Sequence, residues 1–170
     1  MAKVTPVSLE DPANPIRCEF SLIDPEIPGK WHILVARFVG KYRLGHLGDP
    51  DATYIASMAR AAMFNWEPSG LILDLSQLDY KWGDMMDLVL NPNQWSGFKT
   101  PFAVVVGPDC RDAIASLKFG TDTTKSAADI TGFFDTLPAA IDYLLPLCGP
   151  GPVTTPDIIK NIFGAGSPHE

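Results

Sequence analysis

Three short apolar runs constrain this chain more than any other feature: Trp31 to Val39 (WHILVARFV), Leu71 to Leu75 (LILDL) and Phe102 to Val106 (FAVVV). Each is nearly continuous, the pattern of a strand covered on both faces. Between them, apolar residues recur at helical spacing. After Asp49-Pro50, which offers a cap and a proline at the first helical position, come Ala52, Ile55, Ala59, Ala62 and Trp66 on one face. Pro68-Ser69-Gly70 breaks that helix. Gly83 to Leu90 reads as a second, with Asp84 and Asp87 in its first turn and Asn91-Pro92 as its stop. Asp109 caps a third, with Ala113, Ile114 and Leu117 inward. A weaker strand is expected at Ile130 to Phe134. Thr136 then caps a helix to Leu145 with Ala140, Ile141 and Leu144 on one face. Ile16 to Ile23 (IRCEFSLI) reads as an extra strand on an edge. Strands joined through helices imply right-handed crossovers, hence an α/β fold. Its sheet is mixed and mostly parallel, with roughly four to six strands and about four flanking helices. Ile33, Leu34, Val35, Leu71, Leu73, Val104 and Val105 are its expected core.

Proline divides the chain. Residues 1–28 hold five prolines, 146–170 another five, and the 117 residues between them the remaining six. Because proline removes a backbone donor and fixes φ, both ends are expected to be largely irregular. The organisation expected is a proline-rich arm over 1–28 carrying the edge strand, an α/β domain over 29–145, and an extension over 146–170. In that extension Ile158, Ile159, Ile162 and Phe163 predict a short docking helix.

Charge and cysteine exclude several classes. Thirteen Lys and Arg against twenty Asp and Glu give a net charge of −7, with no basic patch for nucleic acid. No apolar run is long enough for a membrane span, and the first residues lack the apolar core of a signal peptide. Cys18, Cys110 and Cys148 are odd in number with no close pair, which reads as reduced thiols in a cytoplasm.

Recognisable chemistry is sparse. Gly40 to Asp49 (GKYRLGHLGD) has neither phosphate-loop pattern, and Asp49 and Asp51 occupy positions where a phosphate needs bare amides. No HExxH, CxxC or GxSxG occurs, so no metal site, cofactor or nucleophile is indicated. Among the three histidines, His46 alone falls in an exposed loop setting. Asp74, inside LILDLS, must find partners. It is either a carboxylate at the carboxyl end of a strand, where open α/β sheets bind ligands, or an acceptor for neighbouring amides.

The segment LILDLSQLDYKWGDMMDLVL, Leu71 to Leu90, resembles the central motif of the STAS domain of bacterial anti-sigma-factor antagonists and sulfate transporter tails. Leu73, Asp74, Leu75 and Ser76 match that family's strand, and Leu78 and Tyr80 the two apolar positions after it. VARFVGKY resembles the preceding strand, FAVVVG the following one and TLPAAIDYL the closing helix, so the resemblance spans residues 30–145. It implies a SpoIIAA-like fold and a structural role for Asp74. The departures are specific. Trp82 falls where the family has its Asp, Gly83 where it has the phosphorylatable Ser, Asp84 at the next Ser/Thr position, and Met85 in place of the motif glycine. Gly83 has no hydroxyl, so the family's phospho-serine switch is not expected here. Ser76 is the nearest serine, within the matched strand.

The function this implies is a non-enzymatic regulatory, protein-binding domain that docks a partner through Lys81, Trp82, Gly83 and Asp84. A second copy of the chain stands among the candidate partners. The alternatives are a small-molecule binder using His46, Asp74, Ser76 and Lys81 at the sheet end, and an enzyme with unidentified active groups. Asp84 is a fixed charge in place of a phosphate, or simply a helix-start residue. Were Gly83 the helix cap, the apolar staple of Trp82 would fall on Asp87, which leaves the indole an exposed anchor. With the boundary shifted, Trp82 packs on Leu88 or the sheet edge instead.

Overall fold

The computed structural model describes residues 14–23, 32–95, 99–120 and 124–148. The expected helix at 158–163 lies outside them, as do most of the two proline-rich ends. Five strands, β1 (Ile16–Ile23), β2 (Ile33–Lys41), β3 (Gly70–Asp79), β4 (Phe102–Val106) and β5 (Phe133–Phe134), form one sheet in sequential order. β1 runs antiparallel to β2, and β2 through β5 are mutually parallel. The helices are α1 (Asp49–Trp66), α2 (Met86–Leu90), α3 (Pro92–Trp95), α4 (Arg111–Phe119) and α5 (Leu137–Leu144). The fold is α/β with a mixed, mostly parallel sheet.

Because each parallel step moves one strand in the same direction, right-handed crossovers put the connecting helices on one face. Ala52, Ile55 and Ala59 of α1, Met86 and Val89 of α2, and Ile114 of α4 pack there on Leu34, Ala36, Leu71, Leu73, Val104 and Val106. The opposite face is smaller. Ala140 and Leu144 of α5, with Cys148, cover Ile33, Val35, Ile72, Ala103 and Val105. Two covered faces explain why LILDL and FAVVV show no polar alternation. All seven expected core residues are buried.

Element boundaries moved where tertiary contacts outweigh local signals. α1 begins at Asp49 with Gly48 as its cap, because a 3-10 turn at Gly45–Gly48 runs directly into it, and the Asp51 carboxylate in its first turn accepts from the Arg43 N–H at 2.8 Å. α2 begins three residues after Gly83 and is capped by Met85. Residues 81–83 are outside any helix or strand, held beyond the end of β3 by contacts described below. Asn91-Pro92 ends α2 as expected, but Pro92 opens the short α3. α4 starts after Cys110 rather than Asp109, and the weak fifth strand shrinks to Phe133–Phe134. Thr136 caps α5 as expected, its hydroxyl accepting from Ala139 N–H at 3.4 Å.

Leu73→Ala is expected to cost about 2–5 kcal/mol, as for other fully buried leucines. Thr136→Ala is expected to cost about 1 kcal/mol, as for a lost cap. Denaturant midpoints of the two variants check the order; equal losses would contradict the burial described.

Candidate functional site

At the carboxyl end of the parallel strands, two loops meet. One follows β2 and contains a 3-10 turn at Gly45–Gly48; the other, residues 80–85, joins β3 to α2. Backbone bonds stitch them together: Tyr42 N–H donates to Asp79 C=O at 3.0 Å, and Gly45 N–H to Trp82 C=O at 3.3 Å. Beneath them the rings of Tyr42 and Tyr80 meet edge to face at 5.1 Å, a favourable geometry for a buried pair. The Tyr80 hydroxyl donates to Gly83 C=O at 3.2 Å. Burial, with the nearby Tyr80 and Asp51, raises the Tyr42 phenol above its ordinary range, and its hydroxyl has no partner among the described residues.

Gly83 is a packing requirement. A β-carbon there would stand 2.6 Å from the Tyr42 ring, which is itself fully buried. Trp82 is held by its backbone and projects its side chain outward. Its indole lies against Gly45, where a β-carbon would come within 3.0 Å of the ring, and 58% of the residue remains exposed. Its neighbours in the two loops, Leu44, Leu47 and Met85, are also exposed apolar residues.

Charges around this face are largely paired. The buried Asp51 accepts from the Arg43 backbone and from its guanidinium. The Lys81 ammonium sits 3.2 Å from the Asp79 carboxylate and donates to Asp109 C=O at 3.3 Å. Lys118 of α4 reaches Asp87 of α2 at 2.9 Å. Asp84 has no ion-pair partner among the described residues. Beside Lys81, an open cleft of about 340 Å³ runs between Tyr80 and the start of α4, lined by Pro108, Asp109, Asp112 and Ser116.

The proposed contacts therefore fall into two groups. Lys81, Trp82, Gly83 and Asp84 stand together at the sheet end, joined there by Gly45 and the exposed His46. Asp74 and Ser76 do not join them. Asp74 is mid-strand, five residues before the end of β3, on the face that carries α5. Its carboxylate is satisfied by Arg37 Nε at 2.8 Å on β2 and by Ser76 N–H at 3.0 Å. That hydrogen bond and charge raise the Arg37 guanidinium above its ordinary range. Asp74 thus ties two central strands together. Residues not singled out from the sequence are Tyr42, Gly45 and Leu47, whose loop looked only glycine-rich until the Gly45–Trp82 contact placed it.

The cysteines are poor nucleophiles. Burial pushes the Cys18 thiol up to about 12 and the Cys110 thiol up to about 11, so both are protonated near neutral pH. Cys110 is bonded on both sides, accepting from Gly107 N–H and donating to Leu75 C=O.

Fold and site together define an α/β protein that presents an apolar loop face at the carboxyl end of its sheet. Among solved structures the chain is similar to an anti-sigma factor antagonist from Mycobacterium paratuberculosis, at 18% identity and a TM-score of 0.43, covering 75% of this chain and 93% of that one. No protein-family model and no curated protein matches it. No helix among the described residues is long and apolar enough to cross a membrane.

Gly83→Ser is expected to destabilise the fold by about 1–3 kcal/mol, the range for an overpacked site, because Tyr42 cannot yield without leaving Tyr80. Thermal or denaturant unfolding checks this, and an unchanged midpoint would show that the Tyr42 ring is free to move. Asp51→Ala is expected to cost a similar 1–3 kcal/mol or so by leaving the Arg43 N–H without its acceptor.

Proposed function

We propose that this protein is a non-enzymatic regulatory module that binds a protein partner through the face formed by Leu44, Leu47, Trp82 and Met85. The observation that supports this reading is Trp82: a large aromatic held by backbone bonds on a well-packed base, yet exposed over more than half its surface. Tryptophan in that setting offers large contact area at little ordering cost, the property that makes it frequent among residues dominating protein interfaces. The loops beneath it are rigidly seated on Tyr42 and Tyr80, so the face is largely formed before binding. Lys81 and Asp84 flank the indole and supply polar rim contacts.

In this reading the interaction is not governed by a phosphoserine at position 83. Gly83 offers no oxygen, and Asp84 carries a permanent charge one residue on. Residues 81–86 carry no hydroxyl, so serine/threonine kinases of the anti-sigma type are expected to leave unlabelled the peptide spanning residues 70–90, whose one serine, Ser76, is held in β3 by its N–H bond to Asp74. Phosphopeptide mapping after incubation with such a kinase checks this, and label on that peptide would contradict it.

The main test compares three forms of the chain in affinity capture from the native lysate: wild type, Trp82→Ala, and Phe64→Ala as an exposed control elsewhere on α1. Wild type and Phe64→Ala are expected to retain the same partner and Trp82→Ala to lose it. Trp82→Ala is expected to lower stability by less than about 1 kcal/mol, as for an exposed position. Equal capture by all three forms would place the interface elsewhere. A loss of several kcal/mol would make Trp82 part of the core.

A further inference from the structure

β1 is the outermost strand of the sheet among the described residues, and its pairing with β2 determines which of its backbone groups face away. Antiparallel partners alternate between hydrogen-bonded and non-bonded pairs. Since Lys41 N–H donates to Pro15 C=O at 3.4 Å, the odd-numbered residues of β1 point their backbone groups at β2. The even-numbered residues Ile16, Cys18, Phe20 and Leu22 point theirs outward. Ile16 N–H is already closed off by the side-chain oxygen of Asn14 at 3.0 Å. The outward groups of Cys18, Phe20 and Leu22 have no backbone partner among the described residues. Beside them Leu22 is 40% exposed, and Phe20 and Trp66 form a ring pair at 5.5 Å.

We infer that this edge pairs antiparallel with β1 of a second copy of the chain, on a two-fold axis through Phe20. A two-fold interface must be complementary to itself, and this register is. Phe20 faces Phe20, Cys18 faces Leu22, and the three outward amide groups of each copy meet those of the other. On the opposite face of the extended sheet, Glu19 meets Ser21, which can donate a hydrogen bond to it. Neighbouring registers fail on charge or on hydrogen bonds, and an axis through Ser21 sets Glu19 opposite the apolar Ile23 and leaves the outward groups of Cys18 past the end of the second copy's β1. An axis through Glu19 sets two carboxylates directly opposite, a destabilising pair. An axis through Cys18 would match Arg17 with Glu19, but it needs the Ile16 N–H that Asn14 holds, and it leaves Leu22 uncovered. The interface lies on the β1 edge, apart from the Trp82 loop face, and is independent of the function proposed above.

Ser21 reads the register, because it is exposed and its side chain makes no hydrogen bond among the described residues. Sedimentation equilibrium of the full, reduced chain is expected to show a concentration-dependent dimer. Ser21→Glu places like charges opposite each other twice per dimer and is expected to raise its dissociation constant by roughly an order of magnitude. Ser21→Arg faces Glu19 of the second copy and is expected to lower it. A general folding defect would weaken both variants alike, so the opposite signs separate pairing from misfolding. A monomer at all concentrations, a dimer indifferent to both variants, or the same sign for both would overturn the inference. So would tightening by Ser21→Glu, which would instead bring Arg17 opposite position 21.

Discussion

The rest of the structure follows from sequential parallel pairing of β2, β3, β4 and β5. With each right-handed crossover stepping the same way, α1, α2 and α4 are committed to one face of the sheet. The other face receives α5, which covers only part of it. That asymmetry decides where polar groups can stand. Arg37 and Asp74 occupy the second face, where the guanidinium stays partly in water while the carboxylate is buried. An acid can sit within an otherwise apolar strand because its neighbour on β2 supplies the counter-charge and the next loop-side amide supplies the second bond.

The same parallel order collects the β2 and β3 exits at one end, where they share a floor. Tyr42 and Tyr80 fill it, and the space left above their rings admits no β-carbon at position 83. One glycine thereby serves two ends. It lets the loop close over the tyrosines, and it leaves position 83 without a side-chain hydroxyl. The loop above is therefore firmly based, while its apolar side chains face solvent. The loop face thus combines a firmly seated base with exposed apolar side chains, bordered by the charged group of Lys81, Asp79 and Asp109.

How much of this was legible beforehand differs from element to element. FAVVV was read to the residue, because a short apolar run bounded by Pro101 and Gly107-Pro108 has sharp local ends. The cap at Thr136 was equally local, one hydroxyl serving an amide three residues on. The α2 boundary was not. Gly83, Asp84 and Asp87 carry helix-start signals, yet the local bond from the Tyr80 hydroxyl and the contacts of the distant Gly45 and Tyr42 keep residues 81–83 out of the helix. The grouping of site residues was half legible: Lys81 to Asp84 are neighbours in sequence and stay so, whereas His46 and Asp74 were separated by strand length and by the face on which Asp74 falls.

Sequence alone therefore determined the fold class, the strand cores and the absence of a side-chain oxygen at position 83, since these depend on residue type, on short continuous apolar runs and on the 3.6 period of the helices, which any local stretch reveals. Only the tertiary structure decided that Trp82 is exposed, that Gly83 is sterically required, and that Asp74 is an inter-strand tie. Each of those depends on a partner far along the chain: Gly45 for Trp82, Tyr42 for Gly83, Arg37 for Asp74. A side chain's exposure or bonding is set by what the fold brings beside it, and no local pattern in one sequence carries that information.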